Sequence, residues 1–573
     1  MSTVHQVQED HASGRSIIDE LVSVGPVEAP AHMRNIVRKT LKPDRSMWTK
    51  SDLMAVLETS YKTSPDYAWL KTVLRKAPIR SLSGITSITV LTKPFPCPGK
   101  CVFCPVDVRM PKSYIASEPG ALRAGRLGFD PYQQVTQRLR AYEDMGHPIS
   151  KIELIVLGGT WSAYPRDYQL WFVKRLFEAL NDFGVRRDEE SFAYPTDWDD
   201  HIKTGETYDK HINNSQYVKD AYVESATQAE LDEQHRLNVN AASRCVGMSL
   251  ETRPDLLDRD ECVNLRSLGA TKIQIGIQSL DDRVLRMNKR GHTVAATEKA
   301  LRLLRQFGFK IHAHWMPNLY GSSPEADVAD YAKVFSNLSI RPDELKVYPT
   351  SLIQDTELEQ IANKGLWKPY TEEALHEVLR SVITTTPEYC RLTRIIRDIP
   401  SNEILAGNKK GNLRQIVENG IAPSDMHDIR AREIKNDVVA VEELVLDRFV
   451  YETTDTEEHF LQYIRPEDRK IAGFLRLSLP KPSAEAHPLS ELDGAAIIRE
   501  VHVYGQAINV GAEKEAAQHS GLGRRLVAEA ERLAADANFT NIAVISAIGT
   551  RGYYEKLGFT EVELYHHKAL TEH

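Results

Sequence analysis

Cys97-Pro98-Gly99-Lys100-Cys101-Val102-Phe103-Cys104 decides the reading of this chain: three cysteines at CxxxCxxC spacing, with no fourth Cys or His beside them. A structural zinc site wants a fourth ligand to close its tetrahedron. Three thiolates on a 4Fe-4S cluster instead leave one iron open, the position a chemically active cluster needs. The alternative is three unrelated core or zinc cysteines. With only six Cys in 573 residues, that spacing arises by chance roughly once in a thousand such chains. Sparse, clustered thiols also suit a reducing compartment, where cysteines serve as ligands rather than disulfides.

Strands and helices alternate around the triplet. SITVLTK (87–93) reads as a strand running into the cysteine loop. IELIVLGGT (152–160), CVGMSLETRP (245–254), TKIQIGIQS (271–279), FKIHAHWMP (309–317) and ELKVYPTS (344–351) follow, separated by amphipathic helical stretches. Six apolar strands joined by helices imply a parallel sheet with right-handed crossovers, an open or partial barrel. Such barrels carry their sites at the C-terminal ends of the strands, where the cysteines stand. The polar stretch 185–240 reads as an insertion, helical at its end. Residues 352–435 read as a connecting domain.

From about residue 436 the pattern becomes an antiparallel meander. Gln518-His519-Ser520-Gly521-Leu522-Gly523 then opens a helix, and YYEKLGF (553–559) follows. A QxxGxG turn at a helix start aims backbone N–H groups at an anion such as a pyrophosphate. A phosphate-indifferent α/β domain is the alternative.

A chain this long with 42% hydrophobic and 27% charged residues predicts several globular domains. No apolar run reaches the roughly 18 residues of a membrane span, and 1–14 lacks the core of a signal peptide. A cytoplasmic protein is expected. The net charge of -8 hides a local excess: eleven Lys and Arg against four Asp and Glu between Met33 and Arg80. The basic N-terminal segment, 1–76, is therefore expected to be helical and to track RNA phosphates, with a solvated helical face as the alternative.

The triplet resembles the signature of radical S-adenosylmethionine (SAM) enzymes, which implies a barrel over 77–351 holding a 4Fe-4S cluster on Cys97, Cys101 and Cys104. In that superfamily SAM chelates the open iron. Gly158 and Gly159 would contact its amino group, and Glu251, Arg253 and Gln278 its ribose and carboxylate. Residues 436–573 resemble the GCN5-related acetyltransferase (GNAT) fold, which implies acetyl-CoA. Together the modules resemble the catalytic subunit of Elongator and its stand-alone bacterial and archaeal relatives. KAPIRSLSGI, KPFPCP, ETRPD, NKRGHTV, RDIPSNEI, GNLRQ, HDIRAREI, IIREVHVYG and HSGLGRRLVAEAERLA carry that likeness.

The resemblance implies carboxymethylation of the wobble uridine of tRNA at carbon 5. A SAM-derived 5'-deoxyadenosyl radical would abstract hydrogen from the acetyl methyl, the carbon radical would add to the uracil, loss of an electron and a proton would restore the base, and thioester hydrolysis would leave the carboxylate. Acetyl group, SAM and a splayed-out base must then meet, so the two modules are expected to face each other across one cleft. The implied partners are the tRNA anticodon stem-loop and an external reductant, with no obligatory protein complex. By matched position Lys151 would contact acetyl-CoA from the barrel side. Glu500, Val501, His502 and Val503 would face its acetyl and pantetheine parts. Gln518, Gly521, Leu522, Gly523, Arg524 and Arg525 would hold the pyrophosphate, and Tyr554 the thioester. Cys97, Cys101, Cys104, Lys151 and Tyr554 are thus the expected catalytic set. His427 stands where relatives often carry Cys, so an additional zinc site from His427, Cys390, His312 and His314 is kept open, although no paired-ligand spacing supports it. The competing activity is protein lysine acetylation, with the cluster only structural.

Overall fold

The computed structural model describes residues 2–42, 46–76, 84–184, 208–435, 437, 439–482, 486–504, 507–508 and 521–570. The expected strands form one parallel sheet in sequential order: β1 (Thr86–Leu91), β2 (Lys151–Leu157), β3 (Arg244–Thr252), β4 (Lys272–Gln278), β5 (Lys310–Trp315) and β6 (Glu344–Val347). A seventh strand, β7 (Arg391–Arg394), pairs parallel with β6. It comes from the segment read as a connection, so the partial barrel extends beyond residue 351.

Side chains alternate across the sheet. Ile152, Leu154, Leu250, Ile273, Ile275, Ile311 and Leu345 are fully buried. They belong to one apolar core with residues of the crossover helices Pro131–Asp144, Arg166–Asp182, Arg259–Ser267, Val294–Gln306 and Pro324–Ser336. The intervening positions are polar: Glu153, Lys272, Gln274, Lys310, His314, Glu344 and Lys346 bond or pair with one another across the concave side, with Glu251 3.7 Å from His314 and His312 3.3 Å from Glu344. Most of these helices begin at a side-chain cap that satisfies an otherwise unpaired N–H. Asp130 accepts from Gln133 N, Asp258 from Glu261 N, Thr293 from Ala296 N and Ser323 from Ala326 N.

The second sheet runs β8 (Val445–Glu452), β9 (Thr456–Ile464), β10 (Ile471–Pro480), β11 (Ala496–Val503), β12 (Asn541–Val544), then β14 (His566–Ala569) ahead of β13 (Thr560–Glu561). β11 pairs in parallel with β12 only over Ala496 to Ile498. A bulge follows, with Arg476 opposite Glu500 and Leu477 opposite Ile498. Such an extra residue bends a strand. Beyond it β11 continues along β10 alone, so the sheet splays.

One face of this sheet covers helix Leu522–Asp536. The other seats on the N-terminal ends of the barrel strands. Arg499 donates to both oxygens of Asp343, the residue before β6, at 2.7 and 2.8 Å, and to Glu458 at 2.7 Å. Arg476 adds a contact to Asp343 at 3.4 Å. Tyr565 OH donates to Phe307 O at 2.6 Å and Arg266 to Ser546 O at 2.7 Å. Gly308 leaves room for Ile497: a Cβ there would lie 2.9 Å from Ile497 Cγ2. The expectation of two modules facing across one cleft is corrected here. The second sheet closes the floor of the barrel, and the cysteines lie at its opposite end.

Helices Ser2–Val24, Ala29–Lys39, Lys50–Ser60 and Tyr67–Leu74 have their own core, including Ile17, Leu21, Trp48, Leu53, Leu57 and Leu70. Part of the basic excess is engaged within it. Lys42 pairs with Asp52 at 2.8 Å, Lys71 with Glu58 at 2.7 Å, and Lys50 donates to Val73 O at 2.7 Å.

Burial holds several histidines neutral. It is the main cause that lowers His235 and His292 to about 3 and His502 to about 4, with nearby arginines or Lys310 adding to it. In the unfolded chain these rings take up protons near pH 6.5. The unfolded state therefore binds more protons below that pH, and the stability present above it is lost as pH falls toward 4. Each ring contributes a slope of up to about 1.4 kcal/mol per pH unit. Melting temperatures measured from pH 7.5 to 5 should fall steadily; a flat profile would contradict the neutral, buried assignment.

Candidate active site

The loop after β1 is held from several sides. Val102 N donates to Asn288 O at 3.2 Å, Leu358 N to Val102 O at 2.8 Å, and Phe95 stacks on Tyr164 with ring centroids 4.6 Å apart. Donors converge on the sulfurs. Gly99 N and Thr160 Oγ1 each lie 3.4 Å from Cys97 Sγ, and Arg290 Nη1 lies 3.4 Å from Cys101 Sγ. Such contacts favour thiolates. Burial pushes the Cys104 thiol up to about 12, with the neighbouring Cys101 and Cys97 adding to it and Lys112 opposing. A thiolate there needs a positive partner, which iron supplies.

Arg253 sets the back of this pocket. It grips Asp255 through two nitrogens at 3.0 Å and donates to Arg290 O at 2.7 Å. Its Nη1 is buried with no hydrogen-bond partner. A Cβ on Gly99 would overlap that nitrogen, so the loop requires glycine there. The three thiols, the donors aimed at them and the unspent Arg253 nitrogen fit an anionic cluster with three protein ligands.

The residues matched to SAM gather at the same C-terminal end. Gly158 has φ +140°, and a Cβ there would overlap Thr92 Oγ1, which is itself hydrogen-bonded to Tyr164 OH at 2.8 Å. Gly159 is unconstrained by comparison, since its nearest neighbour would be Tyr164 OH at 3.6 Å. Gln278 takes φ +65° at a bulge in β4, and its Oε1 is buried with no hydrogen-bond partner. A non-glycine residue in that conformation stores strain that sites exploit. Burial raises the Glu251 carboxyl while Lys346, Arg397 and Arg290 pull it down, and His314 Nδ1 stands 3.7 Å away. Gly158→Ala is expected to cost about 1–3 kcal/mol in local strain and to weaken SAM binding more than acetyl-CoA binding. Paired titrations measure this, and equal losses for both ligands would count against it.

The residues matched to acetyl-CoA gather elsewhere. Gly521, with φ +77°, precedes helix Leu522–Asp536. A Cβ on Gly523 would lie 2.9 Å from Tyr553 OH and 3.8 Å from Val503 Cγ2, so the turn, the end of β11 and YYEKLGF meet. Arg524 and Arg525 are exposed on the first turn. Gln518 lies outside the described residues. Val501 packs at the edge of the apolar core beneath the helix, with Tyr554 inside it. Burial raises the Tyr554 phenol, with Tyr553 and Glu500 adding to it. Glu500 accepts from Arg476 Nε at 2.8 Å and from Lys310 Nζ; His502 stacks on Phe474 with centroids 5.5 Å apart. Lys151 is the first residue of β2, half-buried, its ammonium lowered by burial and by Arg244. It therefore stands at the floor and not beside the cysteines.

Profiles of known families match this division. The Radical SAM superfamily covers residues 96–332, a Radical_SAM C-terminal domain 342–422 and the Acetyltransferase (GNAT) family 426–559. The tRNA uridine(34) acetyltransferase of Dehalococcoides mccartyi is 36% identical, over 85% of this chain and 98% of that protein. Elongator complex protein 3 of Homo sapiens is 32% identical, over 89% and 87%. The solved structure of archaeal Methanocaldococcus infernus Elp3, lacking residues 1–46 of its N-terminus, superposes with a TM-score of 0.66 at 31% identity, covering 85% of this chain and all of that one. The chain belongs to this Elp3 family.

Within the family frame one expectation falls away. Among the described residues no three His, Cys, Asp or Glu side chains surround a point that would hold a single metal ion. Cys390 is fully buried, its thiol pushed well up by that burial. His312 Nε2 bonds Thr393 Oγ1 at 2.9 Å and His314 Nε2 bonds Gln274 Oε1 at 3.2 Å. Nothing here supports an additional zinc. Other residues that meet at these places escaped sequence reasoning. Arg290 and Asn288 lie in the quoted NKRGHTV stretch, but nothing local to it points at the cysteines. Tyr553 hid beside the chosen Tyr554.

Proposed function

We propose that the chain carboxymethylates carbon 5 of the wobble uridine of tRNA, taking the two-carbon unit from acetyl-CoA and using SAM as radical source. The observation that carries this is the coexistence, in one chain, of a three-thiol pocket with donors aimed at its sulfurs and a left-handed glycine turn opening a 15-residue helix beside a splayed strand. The names of the relatives point the same way. Cys97, Cys101 and Cys104 hold the 4Fe-4S cluster, which with SAM supplies hydrogen-atom abstraction from an unactivated C–H bond. Gly158 turns the backbone past Thr92 so that the open Gly159 can approach the SAM amino group, and Arg253 Nη1 with Arg290 balances negative charge at the sulfurs. Backbone N–H groups at Leu522 and Gly523 receive the pyrophosphate, and Glu500 to Val503 line the acyl arm. The N-terminal helices contribute salt-sensitive contacts to the anticodon stem-loop. Among the described residues no helix is long and apolar enough to cross a membrane.

The test is an anaerobic reaction of protein with tRNA, acetyl-CoA, SAM and dithionite, the last standing in for the cell's reductant. 5'-Deoxyadenosine and a modified wobble base should appear together, and omission of any component should remove the modified base. Lysine acetylation without SAM, and no base product, would defeat the proposal in favour of a protein acetyltransferase.

A further inference from the structure

The residues matched to the two cosubstrates sort to opposite ends of the barrel. Gly158, Arg253 and Gln278 end β2, β3 and β4, beside the cysteines. Lys151 begins β2, and Glu500 reaches the barrel at Lys310, the first residue of β5. Between the ends the concave side is polar throughout. Lys310 bridges Glu500 and Glu344, the latter at 2.8 Å. His312 Nδ1 lies 3.3 Å from Glu344, the rings of His312 and His314 are 5.5 Å apart, and His314 faces Glu251. From Lys310 to His314 is four residues of strand, about 13 Å.

We infer that the acetyl group enters the radical site through the N-terminal floor of the barrel, and that Lys310 is the positioning residue that seats the acyl-binding strand there. This rests on acetyl-CoA occupying the glycine turn, as proposed above. Three observations carry it. The bulge that splays β11 from β12 falls next to Glu500, so the sheet opens where it touches the barrel. Glu500 is clamped by two cations, Lys310 from the barrel and Arg476 from its own sheet, so its position is defined from both modules at once. The interior above it is built of the polar side chains Lys310, His312, Glu344 and Lys346 instead of the aliphatic layers that fill a closed barrel, and such groups can hydrogen-bond a thioester carbonyl.

Lys310→Met should leave 5'-deoxyadenosine formation near wild type while the ratio of 5'-deoxyadenosine to modified base rises about tenfold or more, because the methyl group is misplaced. Lys310→Arg should restore the ratio. A merely structural lysine would lower both products together and leave the ratio unchanged, which would overturn the inference. Wild-type protein provides a second readout, independent of whether the variants fold. A diazirine-bearing acyl-CoA, photolysed on the full chain, should label peptides containing 310–315 and 344–348, and excess acetyl-CoA should suppress the labelling. Labels confined to 97–117 and 159–164 would place entry at the mouth and defeat the inference while leaving the proposed function intact. No acetyl-CoA-suppressible label anywhere would remove the acetyl-CoA reading and this inference with it.

Discussion

Cys101→Ala should reduce 5'-deoxyadenosine and modified base to background while tRNA-stimulated hydrolysis of acetyl-CoA continues. Cys101 is the thiol that Arg290 contacts, and Arg290 in turn is fixed by Gly276 O at 2.8 Å and by Arg253. Removing the thiol leaves two ligands for a cluster that needs three. Glu500, matched to the acyl arm, stands at the other end of β5, held by Lys310 and Arg476. Loss of one activity with retention of the other is therefore the diagnostic pattern. It is measured by chromatography of the nucleosides and a thiol assay for free CoA, alongside iron and sulfide analysis. Loss of both activities in a protein that melts normally would mean that the two ends of the barrel are not separate sites.

Arg499→Met should be the most destabilising single change considered. The Arg499 and Asp343 side chains are both 0% exposed, and Glu458 beside them is 1% exposed. Removing one member of a buried charge network strands the others and typically costs about 3–5 kcal/mol. Arg499 holds the Asp343 carboxyl well below the usual carboxylate range, with Arg476 and Arg305 adding to it. An acid whose pKa is depressed by folding contributes stability above its unfolded value, near 3.9, and loses it only as pH falls through the folded one. The tie is thus intact at neutral and mildly acid pH. The defect of the variant should accordingly be fully developed at pH 7, appearing as an earlier first melting transition and faster proteolysis. A wild-type melt would refute the account.

Much of this architecture was legible because each strand shows helices an apolar face. Ile273 and Ile275 read as core at sight, and the cysteine spacing and glycine turn needed no tertiary information. β7 was not legible: Arg391-Leu392-Thr393-Arg394 has one apolar residue in four, since Thr393 bonds His312 inside the barrel, Arg391 and Arg394 pair with Glu433 and Asp398, and an edge strand needs little core. The docking of the modules was hidden for another reason. Periodicity assigns residues to faces but does not say which face meets which, and Asp343 finds Arg499 across 156 residues. Arg290 was missed because a lone arginine in a loop reads as a solvated charge until the fold brings it to a sulfur.

The separation of Asp343 from Arg499 also sets a schedule. At roughly 5–20 residues per second, the ribosome makes Arg499 roughly 8–30 s after Asp343. The first six barrel strands have emerged by then, with the Asp343 carboxylate at the floor served by Ile311 N and by Arg305 at 3.9 Å but not yet by the Arg499 guanidinium that pairs both its oxygens. That end of the barrel must stay hydrated through this interval, and it dries only when the last module arrives. The cluster pocket, assembled from residues up to Leu358, can close earlier. Birth order thus allows metal loading to precede acyl capture in the life of each molecule.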